Sequence, residues 1–109
     1  MKKENIIQSK SFNFPLQIIE LYRKLLKEKE YVISKQLLRS ATSIGANIEE
    51  ATAAQSRKDF LSKMSISSKE ARETNYWLKL LDKSDLTQID VKACRSEGEE
   101  IAKNFNIHC

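Results

Sequence analysis

Glycine and proline are almost missing from this chain, at two and one among 109 residues. So little turn-forming material argues against a β-rich fold with many tight connections and against a flexible linker, and it favours helices. Aromatic residues make up 7% of the sequence against 40% hydrophobic in all, so packing rests on aliphatic and small side chains. Cys94 and Cys109 lack metal-ligand spacing, and His108 is the single histidine. A disulfide scaffold and a zinc site are therefore not expected, and no cofactor is. No apolar run approaches the roughly 20 residues that span a bilayer. No signal-length apolar stretch follows the lysines of MKKENIIQSKS, so a cytoplasmic protein is expected.

What is present is charge and helical periodicity. Charged residues form 31% of the chain, with a net charge of +4, a balance that mildly favours acidic partners or nucleic acid. The length suits one domain with one core. Residues 1–11 read as an irregular arm, and Pro15 as the first turn of a helix carrying Ile18, Ile19, Leu21, Tyr22, Leu25 and Leu26. Ser34 is the expected cap of a second helix running to about Gln55. Ser56 begins a capping-box-like S-R-K-D before a third helix. There Phe60, Met64, Ser67, Ala71, Thr74, Leu78 and Leu81 follow steps of four and three. After a short turn, Val91, Cys94, Gly98, Ile101 and Phe105 mark a fourth helix. The pattern predicts an all-α fold, an antiparallel up-down-up-down four-helix bundle over residues 12–109.

The second helix is unusual for its lack of charge. SATSIGANIEEATAA, residues 40–54, contains only Glu49 and Glu50 as charged residues. Leu37, Ala41, Ile44, Ile48 and Ala51 supply a core face. Thr42, Ala46 and Ala53 leave the opposite face uncharged, as expected of a helix covered on several sides. Small residues beside the seam, Gly45 among them, are expected to bring the second and third helices close. Ile66, Trp77 and Leu80 form an apolar strip at the edge of helix three, which either widens the core or meets another subunit. These six residues, Thr42, Ala46, Ala53, Ile66, Trp77 and Leu80, are the candidate oligomer interface.

No catalytic constellation is present. Glu49–Glu50 and Glu99–Glu100 are adjacent in sequence and do not face each other on a helix. Cys94 falls on an apolar seam and reads as a small buried hydrophobe. Lys58, Lys69, Arg72, Lys79 and Lys83 fall opposite the seam of helix three, with Tyr76 among them. Cations with an interleaved aromatic suit phosphate neutralisation and base stacking, although the same pattern also describes an ordinary solvated face. Lys35 and Arg39 either extend this surface or meet a neighbouring chain's carboxylates.

The run from Gln36 to Leu81, with RSATSIGANIEEA, AQSRKDF and KEARETNYWL as its most specific pieces, resembles the bacterial four-helix bundle proteins that include the ribosomal RNA intervening-sequence proteins. The likeness takes in FPLQIIELYRKL and extends over most of residues 12–81, while residues 85–109 share only the helical pattern. The resemblance implies a bundle that assembles as a ring-shaped homopentamer. A related branch, the accessory subunit of diversity-generating retroelements, engages a reverse transcriptase and nucleic acid through a basic barrel. It brings no catalytic residues. The resulting expectation is a non-enzymatic oligomeric scaffold or adaptor associated with RNA, single-stranded DNA or a nucleic-acid enzyme. The alternative is a protein-binding assembly module without nucleic-acid contact.

Overall fold

The computed structural model describes residues 2–106. Four helices follow in order: α1 Lys2–Lys27, α2 Ile33–Thr52, α3 Arg57–Lys83 and α4 Lys92–Asn106. Each packs against its neighbours in a square, α1 on α2 and α4, and α3 on α2 and α4. Among the described residues the diagonal pairs do not meet. This is the up-down-up-down bundle that the spacing predicts, drawn out to 44 × 20 × 18 Å.

The apolar stripes lock the rotation of each helix. Ile18 and Leu25 of α1, Leu37, Ala41 and Ile44 of α2, and Ala71 and Leu78 of α3 are fully buried. Val91, Cys94, Gly98, Ile101 and Phe105 close the fourth side as expected. Between α2 and α3 the buried contacts are partly polar. The Ser67 hydroxyl donates to the Ile44 carbonyl at 2.7 Å, and the Thr74 and Ser40 hydroxyls are 2.8 Å apart. Their small size permits the close pairing, and each hydroxyl has a partner, so no desolvation penalty is left standing.

Four local expectations are corrected. The expected irregular arm over residues 1–11 is helical from Lys2. Ile7 and Ser11 are buried there because they share the face of Phe14 and Ile18. Pro15 therefore lies inside α1 and does not open it. Lacking an N–H, it leaves the Ser11 carbonyl without its helical donor. That carbonyl faces Gly45 of α2, where a Cβ would come within 2.5 Å of it. The close approach made by Gly45 is thus to α1 and not to α3.

The fourth correction concerns the start of α2. Ser34 is already within the helix and fully buried, with its hydroxyl donating back to the Glu30 carbonyl at 2.6 Å. The cap is the Glu30 carboxylate, which accepts from the backbone N–H of Val32 at 3.1 Å, Ile33 at 2.9 Å and Ser34 at 2.6 Å. A negative charge suits the positive end of a helix, and these donors have no helical partner of their own. Before it, Lys29 adopts a left-handed conformation, φ 64°, as the Lys29 N–H bonds Leu26 O and the Glu30 N–H bonds Leu25 O. This pairing ends α1 in a Schellman turn. At α3 the expected cap is present, with Ser56 accepting from the Asp59 N–H at 3.0 Å.

Candidate functional site

The core seam of α3, from Met64 to Leu81, fixes which residues that helix turns outward. Lys58, Lys69, Arg72, Tyr76, Lys79 and Lys83 are all exposed. From Lys69 onward they recur at steps of three and four, and Lys58 lies about three turns earlier, so the six share one face.

The carboxylates of α3 are directed away from that face. Glu70 and Glu73 flank α2 and bind the Arg39 guanidinium, Glu70 at 3.3 Å. Asp82 flanks α4 and binds Arg95 at 2.6 Å, a bond that holds the Asp82 carboxyl below its ordinary pKa. Asp59 lies beside the Ser56 cap. On the α2 flank Lys63 meets Glu50 at 2.8 Å, which raises the lysine's pKa. Among the described residues, none of Lys58, Lys69, Arg72, Lys79 and Lys83 has a carboxylate within ion-pair distance. Charge is thus segregated: ion pairs stitch the flanks while the outer face keeps uncompensated cations. Arg39 is engaged within the chain. Lys35 is exposed beside Tyr22, Leu38 and Thr42 on the α1/α2 side, so neither residue extends the α3 stripe.

The aromatic in the stripe is held from one side. Tyr76 is 55% exposed and contacts Trp77 edge-on, with ring centroids 5.1 Å apart. Trp77 packs against the core, and its indole N–H donates to Glu73 at 3.0 Å. Within the chain, Trp77 widens the core. Leu80 is half-buried, and Ile66 remains exposed.

The uncharged back of α2 is open in the single chain. Thr42, Ala46 and Ala53 are exposed. Thr42 and Ala46, with Gly45, line a groove of about 280 Å³ against Phe12, Leu16 and Ile19 of α1. Phe12 is 69% exposed and Leu16 48%. Neither residue is among the sequence-based candidates: a helix opening at Pro15 leaves Phe12 outside it, and Leu16 then stands at the edge of the stripe without its partner one turn earlier. Their spacing with Ile19, at i, i+4 and i+7, is the signal that marks them. Ala53 lies past the end of α2, away from this groove.

Nothing in these surfaces resembles a reactive centre. Burial pushes the Cys94 thiol up from its ordinary pKa, which disfavours the nucleophilic thiolate. Among the described residues no group of three His, Cys, Asp or Glu side chains could hold a metal ion, and no helix is long and apolar enough to cross a membrane. His108 and Cys109 lie outside the described residues.

The fold is that of a small antiparallel four-helix bundle. The chain matches, over residues 3–106, the family described as 23S rRNA-intervening sequence protein, and it belongs to that family. It is also similar to a crystal structure of a protein with unknown function from the S23 ribosomal protein family of Bacteroides thetaiotaomicron. The two are 44% identical with a TM-score of 0.89, over 97% of this chain and 96% of that one. No curated protein matches the chain.

Proposed function

We propose that this protein is a non-enzymatic, cytoplasmic homo-oligomeric scaffold or adaptor that associates with RNA, DNA or a nucleic-acid enzyme through the basic face of α3. The observation that carries the reading is the segregation of charge on α3. Its Glu70, Glu73 and Asp82 carboxylates are directed toward neighbouring helices, and among the described residues its outward cations are left without partners. An unneutralised cationic row suits a polyanion, because each lysine or arginine that meets a phosphate releases condensed counterions.

Assembly is part of the reading. Phe12, Leu16, Ala46 and Thr42 present an apolar, small-residue groove that a second copy would cover. A closed ring, a pentamer as the family resemblance implies, would repeat the α3 face around its axis. Repetition raises avidity without any new contact.

Fluorescence anisotropy with labelled single-stranded RNA tests the reading. Binding is expected at low salt, weakening steeply at physiological salt. The Lys69→Gln, Arg72→Gln, Lys79→Gln triple variant is expected to bind more weakly while keeping its oligomeric mass. Absence of binding at low salt, or a triple variant that binds like wild type, would favour the protein-only assembly module to which the apolar groove also points.

A further inference from the structure

Tyr76 occupies an unusual place in the cationic face. Arg72 precedes it by four residues and Lys79 follows by three, so the ring stands between two cations on one helical row. Its edge-on contact with Trp77 is backed by a chain of fixed partners. The indole packs on the core and donates to Glu73, and Glu73 is held by Arg39 of α2. The ring therefore rests against a rigid support on one side and remains 55% exposed. What sets Tyr76 apart from a singly exposed side chain is this support together with the cations on either side of it. Such a ring suits a surface that receives a flat π-face, and a pre-positioned ring loses little freedom on binding.

We infer that Tyr76 is a base-stacking platform, and that the α3 face accepts single-stranded nucleic acid in preference to duplex. This rests on the proposed nucleic-acid association and specifies its ligand. In a duplex the faces of the bases are covered by their neighbours, leaving only phosphates and groove edges to a helix surface. In a single strand a base can turn out and lie on the ring while its flanking phosphates meet Arg72 and Lys79. Stacking is tolerant of sequence because every base has a π-face, so little base preference is expected.

Trp77 provides the reporter, since it is the single tryptophan of the chain and touches Tyr76. The full chain is titrated with a short oligouridylate strand and, at equal phosphate concentration, with an RNA duplex of the same length. Tryptophan emission and anisotropy are followed together. The strand should quench Trp77 and bind more tightly than the duplex. Tyr76→Ala should weaken strand binding by about fivefold or more and remove the quench, while Tyr76→Phe should retain both. If Tyr76→Ala binds the strand like wild type, or the duplex binds as tightly, stacking is overturned. The basic-face reading survives that result provided the Lys69, Arg72, Lys79 triple variant still weakens binding. Failure of both strand and duplex to bind at low salt overturns the two readings together.

Discussion

Gly45 shows how one missing side chain sets the distance between two helices. Pro15 removes a donor from α1, and the Ser11 carbonyl it leaves free is met by a residue without a Cβ. Helix propensity alone favours Ala over Gly by about 1 kcal/mol in a helix interior. Here the added methyl would stand 2.5 Å from a backbone oxygen, which cannot swing aside as a side chain can. Gly45→Ala is therefore expected to destabilise the fold by about 1–3 kcal/mol, the range for overpacking. Thermal unfolding measures it, and a variant that melts at or above the wild-type temperature would refute the contact. The sequence shows a glycine within a helical stripe, and close packing follows from that. Which neighbour it approaches was not legible, because the partner is a carbonyl exposed by a proline in another helix.

At the level of the element, legibility follows burial. The seams of α3 and α4 could be read residue by residue, since each buried position repeats at helical spacing and no proline interrupts it. The start of α1 was obscured because Pro15 has two meanings, a first-turn residue or an interior one tolerated by its neighbours. The start of α2 was misread because Ser is a common capping residue, whereas the cap here is a glutamate reaching over from the preceding turn. Glu30→Ala would strand three backbone N–H groups, of which that of Ser34 belongs to a fully buried residue. A loss of about 1–2 kcal/mol is expected from the capping range, measurable by urea denaturation. An unchanged midpoint would show that water replaces the carboxylate without loss.

For the whole molecule, the sequence located the cationic row on α3 and the uncharged back of α2. It did not show that Glu70, Glu73 and Asp82 of α3 are engaged by Arg39 and Arg95, which depends on which helices stand beside it. Nor did it show the Phe12–Leu16 side of the groove. If that groove is covered by a second copy, Ala46→Glu places a charge in an apolar contact with no partner. Light scattering should then report a smaller mass for Ala46→Glu than for wild type, with helicity unchanged. Equal masses would remove the groove from the assembly.

The central claim is that unpaired cations on α3 meet phosphates, and the salt dependence of binding tests it most directly. For single strands the logarithmic slope of affinity against salt is about −0.7 per neutralised phosphate. Replacing Lys69, Arg72 and Lys79 with glutamine should make that slope shallower by about 2. A slope that is the same in both proteins, or a wild-type affinity indifferent to salt, would contradict the account.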